Sequence, residues 1–123
     1  MTWYRERPQR YQKEIEVLRK FYPRTKICWE RNLLVAFNEF FTRQNRYLIK
    51  VIYPDGFPYD HPRAYVVSPR IHNAPHRYSD GALSIHFDND GPQISGKIIF
   101  DGAKKWIAAY EHWQKTGYWP EGW

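Results

Sequence analysis

The sequence predicts an α+β domain: an N-terminal helix, a four-stranded antiparallel meander, an irregular segment and a C-terminal helix. Three observations carry the layout. An apolar stripe at helical spacing lies near each end, strand-like runs joined by hairpin-length connections lie between them, and a proline-rich interruption follows the third run. Helices at the two ends of an antiparallel sheet pack as an α+β sandwich.

In the first helix Tyr11, Ile15, Leu18 and Tyr22 fall at i, i+4, i+7 and i+11 and line one stripe. Pro23 closes it, because a residue before proline is pushed out of the helical region. Charged residues fill the other positions, so this helix is expected to pack one face and show a basic face to water. Lys26 to Arg31 reads as a short strand, and Asn32 suits the turn after it. Leu33 to Phe41 follows, rich in aromatic and apolar residues. Arg46 to Tyr53 sets Tyr47, Ile49 and Val51 against Leu48, Lys50 and Ile52, as a largely buried strand does. The ten residues from Tyr53 to Pro62 hold three prolines and one glycine and cannot be regular structure. Ala64 to Val67 makes a fourth short strand. In the last helix Ile99, Ala103, Trp106, Tyr110 and Trp113 form a stripe nearly four turns long. Ser95 or Asp101 could cap its start, and Gly117 is placed to end it.

At 123 residues the chain suits one domain spanning 1–123. A domain of this size buries roughly two-thirds of its unfolded surface, so a hydrophobic core is possible without staples. Six Trp, ten Tyr and seven Phe supply much of it. Nothing resembles a signal peptide or a membrane span. The single cysteine, Cys28, leaves no internal disulfide and fits a reducing cytoplasm. The net charge of +6 is concentrated in residues 1–31, which hold nine Lys or Arg against four Glu. Such a segment can meet nucleic acid, a membrane surface or an acidic protein, and is more often a solvated helix face. A small basic nucleic-acid-binding domain is therefore an alternative. Against it, the aromatics follow core periodicities rather than an exposed stacking platform.

The stretch PHRYSDGALSIHF, residues 75–87, raises the question of chemistry. Ser84, His86 and Asp88 would share one face of an extended run, with Ile85 and Phe87 turned to the core. Neighbours on one strand face lie about 6.5–7 Å apart and run parallel, whereas a triad needs converging groups within about 3 Å. Strand alternation is the better account. His72 and His76 are four apart, near His61, Asp80 and His86, but that spacing makes a metal pair only on a helix and Pro75 lies between them. No metal and no cofactor are expected. Cys28 sits in a predicted strand, where a small buried core residue is the commoner outcome than a nucleophile.

The run from Ala74 to Ser84 resembles the active-site segment of ubiquitin-conjugating enzymes, and its Pro-His-x-Tyr-x-Asp-Gly form resembles their prokaryotic branch. That family shows His-Pro-Asn, about five residues, then Gly-x-Ile/Leu-Cys. Aligned on Asp80-Gly81, the family's cysteine falls on Ser84, its asparagine on His76, its proline on Pro75 and its histidine on Ala74. The ending from Trp106 to Pro120 also looks like the prokaryotic branch. The resemblance implies a protein that carries a partner's C-terminal glycine as a thioester and passes it to an amine. Bacterial relatives occur in antiphage operons (CBASS), where the carried or conjugated protein is a nucleotidyltransferase that makes cyclic oligonucleotides. It implies Ser84 at the acyl-acceptor position, His76 assisting it, Asp80 and Gly81 as the turn that presents it, and Tyr78 as a loop anchor. The basic helix at residues 5 to 20, with Arg5, Arg7, Arg10 and Lys13, would face a protein partner, since family members use that region for their activating enzyme.

Serine at position 84 departs from the pattern. A thiol is already a few per cent thiolate at neutral pH, while a serine hydroxyl is far weaker without a base. Serine therefore abolishes transfer or traps an oxyester. Two origins compete, a Cys→Ser substitution made to freeze a complex and a natural inactive variant acting as a binding scaffold. The active-enzyme form of the surrounding residues favours the first. Trp119 and Trp123 are expected to be exposed and to mark a contact surface.

Overall fold

The computed structural model describes residues 2–85 and 94–123. Its elements run α1 (Trp3–Glu6), α2 (Pro8–Phe21), β1 (Lys26–Glu30), β2 (Leu33–Phe41), β3 (Arg46–Ile52), β4 (Arg63–Ser68) and α3 (Gly96–Thr116). The four strands form one antiparallel sheet in sequence order, β1-β2-β3-β4. The expected meander is therefore present, with each strand bounded within a residue or two of its reading from sequence.

The N-terminal helix differs from expectation by a break. Arg7, at φ −128° and ψ 68°, separates α1 from α2. The cause is Pro8, which disfavours helical geometry at the residue before it and is itself well suited to the first helical position. The break lets α1 fold back, so that Trp3 is buried with its ring 5.5 Å from Tyr53 and 4.5 Å from Phe57.

Arg31 and Asn32 both take positive φ, 52° and 67°, making the two-residue turn between β1 and β2 whose twist matches antiparallel strands. On β2 and β3, Leu34, Ala36, Ile49 and Val51 are fully buried beneath the helices. From α3 they meet Ile99, Phe100, Ala103, Trp106 and Ile107. Burying one Leu- or Phe-sized side chain stabilises by roughly 1.5–3 kcal/mol, so this helix-on-sheet layer dominates folding. Cys28 lies opposite Val35, and is half-buried rather than a core residue. Its neighbour Ile27 packs on the core, which by strand alternation turns the thiol to the other face of the sheet.

Ser95, not Asp101, caps α3: its side chain accepts from the Ile98 amide at 3.4 Å. Asp101 lies inside the helix, pairs with Lys97 at 2.6 Å and accepts the Tyr22 hydroxyl. Gly117 ends the helix at φ 82°, a left-handed conformation that glycine adopts without penalty. Among the described residues no helix is long and apolar enough to cross a membrane.

One charged residue of α2 is not on the solvent side. Glu14 is 2% exposed, and its Oε1 accepts the Tyr53 hydroxyl and the Gly96 amide, both at 2.8 Å. Gly96 opens α3, so a carboxylate meets the positive end of that helix. Burial raises the Glu14 carboxyl above its ordinary 4.5, opposed by the bonds from Gly96 and Tyr53 and by the charge of Arg10. The same burial, with Glu14 beside it, pushes the Tyr53 hydroxyl well above its usual range. Position 96 has no room for a side chain, since a Cβ there would run into the Tyr53 hydroxyl.

Candidate functional site

The segment from His76 to Ser84 is a small hairpin rather than a strand. Arg77 and Leu83 form an isolated antiparallel bridge. The Tyr78 amide donates to the Ala82 carbonyl at 2.8 Å, the Gly81 amide to Tyr78 at 2.9 Å, and the Ser84 amide to His76 at 2.9 Å. A turn of four residues, Tyr78 to Gly81, thus sets His76 directly across from Ser84. Gly81 supplies the positive φ, 92°, that the turn requires. The Leu83 amide donates to the Ala64 carbonyl at 2.9 Å, tying the hairpin to β4.

Asp80 organises this turn with three hydrogen bonds. Its Oδ1 accepts from the Ala82 amide at 3.0 Å, and its Oδ2 accepts from the Tyr65 hydroxyl at 3.1 Å and Arg63 at 3.2 Å. The Ala82 amide above all, then Tyr65 and Arg63, hold its carboxyl below the ordinary carboxylate value. Tyr78 is exposed, with the Arg63 guanidinium 5.4 Å from its ring, and its amide and carbonyl bond within the turn. Arg77 reaches the other way and donates to the carbonyls of Ile71 and His72 at 3.2 and 3.1 Å.

His76 takes φ 59°, uncommon for any residue with a side chain. Its carbonyl accepts twice, from the Ser84 amide and from Trp106 Nε1 at 2.9 Å. Its ring lies 4.9 Å from Trp119 and 6.2 Å from Trp123. These tryptophans are half-buried rather than exposed. No hydrogen bond joins the His76 imidazole to the Ser84 hydroxyl, so backbone bonds hold the pair together. Trp106 was legible in the helix stripe and in the ending from Trp106 to Pro120, but nothing in the spacing of Trp106, within α3, and Trp119, after it, announces their contact with His76.

A cleft of about 960 Å³ lies between the proline-rich loop, β4 and the hairpin, lined among others by Tyr59, His61, Arg63, Tyr65 and Tyr78. Leu83 and Ile85 line it and Ser84 between them does not. The basic residues are spread over two elements. Arg7 lies 5.2 Å from the Tyr59 ring. Arg10 lies over Phe57 at 4.9 Å and 3.8 Å from Glu14, which commits it to the fold. Arg5 and Lys13 stay exposed. His86 and Asp88, with Phe87, lie outside the described residues. Among the described residues no three His, Cys, Asp or Glu side chains gather as a metal site.

A helix, a four-stranded meander, a proline-rich loop, a short hairpin and a closing helix make up a ubiquitin-conjugating-like fold. A family model described as Type II CBASS E2 protein matches residues 14–123, and the chain belongs to that family. Its role is accordingly ubiquitin-conjugating-like, within CBASS and with a protein partner there. No curated protein matches the chain.

Proposed function

We infer that position 84 is the acyl-acceptor site of this chain, and that the C-terminus it accepts belongs to the nucleotidyltransferase that makes the cyclic oligonucleotide signal. One observation carries the reading. The Ser84 amide donates to the His76 carbonyl across a Tyr78–Gly81 turn, so the residues standing at the family's cysteine and asparagine are held side by side.

The chemistry is acyl transfer. A nucleophile at 84 attacks the activated C-terminal carbonyl, the activating group leaves, and an amine later displaces the nucleophile. His76 assists, either by donating a hydrogen bond to the tetrahedral oxygen or by accepting the proton of the nucleophile. With serine in place the first step is slow and the oxyester, once formed, is a poor donor to amines. The chain as it stands is thus inactive or trapping, and Arg5, Arg7 and Lys13 offer the partner a positively charged approach. A binding scaffold using the same surface is the second reading, favoured by Ser84 itself.

Ser84→Cys, incubated with the nucleotidyltransferase and an activating enzyme, decides between them. A thiol-sensitive adduct at residue 84 is expected. Complex formation of equal strength with Ser and Cys at that position, and no adduct with either, supports the scaffold and sinks the acceptor reading.

A further inference from the structure

Two elements bring indoles to His76. Trp106 comes from α3 and fixes the His76 carbonyl through Nε1. Trp119 and Trp123 come from the segment after Gly117, whose φ of 82° redirects the chain at the end of α3. Trp119 lies with its ring centroid 4.9 Å from the imidazole, tilted by 35°. It is itself held from both sides, 5.5 Å from Trp106 and 5.7 Å from Trp123.

The constraints on His76 divide by what they fix. The bonds from Ser84 and Trp106 both end on its carbonyl and hold the backbone in its left-handed conformation. Neither acts on the ring. A half-buried histidine side chain otherwise chooses among staggered χ1 wells, and an aromatic contact of this kind shifts such a choice by about two- to tenfold. Trp119 supplies that contact, and its own position is set by two further indoles.

The geometry points to Trp119 as a positioning residue, one that packs against the His76 imidazole and fixes the direction in which the ring acts on position 84. This inference rests on position 84 being the acceptor. It assigns the segment after α3 a part in the site: an incoming acyl group meets an imidazole already oriented, so less ordering is needed in the transition state.

The test needs no partner protein. In Ser84→Cys the thiol is alkylated with iodoacetamide across pH, with modification at residue 84 counted apart from Cys28 by peptide mass. His76→Ala and Trp119→Ala, each added to Ser84→Cys, are expected to move the pH profile of alkylation in the same direction. Each should change the rate at neutral pH by about two- to tenfold. The two together should equal either alone, because residues acting through one another are not additive. Trp119→Phe, which keeps an aromatic face, should restore the profile. Trp119→Leu replaces Trp119→Ala if circular dichroism shows that the latter does not fold.

The proposal is overturned if removing the Trp119 ring leaves the pH profile in place, or if the His76 and Trp119 effects simply add. It also fails if His76→Ala changes nothing. Failure to form an adduct with the nucleotidyltransferase, while the alkylation pattern holds, counts against the acceptor reading alone.

Discussion

Glu14 is the buried charge on which α2, the proline-rich loop and the start of α3 converge, and truncating it tests that junction. Its Oε1 accepts two hydrogen bonds of 2.8 Å, from a fully buried tyrosine hydroxyl and from the first amide of α3. Hydrogen bonds to a charged group contribute about 1.5–3 kcal/mol each, giving a gross loss of roughly 3–6 kcal/mol in Glu14→Ala. Removing a carboxylate whose burial is itself unfavourable returns part of that, leaving about 2–4 kcal/mol. Each kcal/mol moves the midpoint of a domain this size by about 3–5 °C, so the unfolding midpoint should fall by roughly 6–20 °C. Glu14→Gln keeps an oxygen that can accept both bonds and should lose about 1 kcal/mol. Thermal and urea unfolding followed by circular dichroism measures both variants. If Glu14→Ala unfolds at the same midpoint as Glu14→Gln, the carboxylate is not the acceptor that joins these elements and the reasoning fails.

The raised Glu14 carboxyl also predicts a pH dependence. A group whose folded-state value lies above its unfolded one contributes stability that is complete below the ordinary 4.5 and lost as pH rises through the folded value. The midpoint of the unaltered chain should therefore gain on that of Glu14→Gln as pH is lowered from 7 toward 4.5; a constant difference refutes it. Trp106→Phe removes the Nε1 bond to the His76 carbonyl while keeping an aromatic ring in the core. A cost of about 2 kcal/mol is expected from the lost bond and the smaller ring. Hydrogen exchange at the Ser84 amide should accelerate more than at β2 and β3 amides, and uniform acceleration would show that the indole does not hold the hairpin.

Most of the fold was legible because its determinants are local. The alternation of Tyr47, Ile49 and Val51 needs only the period of a strand, and Asn32 only the preference of a short turn for positive φ, although Arg31, read as strand, proves to be the other turn residue. The stripe from Ile99 to Trp113 marked α3, and Gly117 its end. At the site, Asp80 and Gly81 could be read as a turn, since a short acceptor side chain followed by glycine builds one by itself. Where reading along the chain failed, a distant residue had intervened. Glu14 occupies a polar position of its helix and is buried because Tyr53 and Gly96, 39 and 82 residues away, supply its donors. Asp101 looked as good a cap as Ser95 until Lys97 and Tyr22 claimed it.

The sequence by itself determined the order of elements and the antiparallel meander. Each follows from periodicity, turn chemistry or spacing within about fifteen residues. Only the tertiary structure decided that Pro8 breaks the first helix so that Trp3 can enter the core, and that Cys28 turns away from it. Only the fold, too, placed Trp119 and Trp123 against His76 rather than in solvent. The physical reason is the same in each case. Hydrophobic burial is non-directional, so a sequence can say that a tryptophan will seek cover, while the packed chain alone says what it covers.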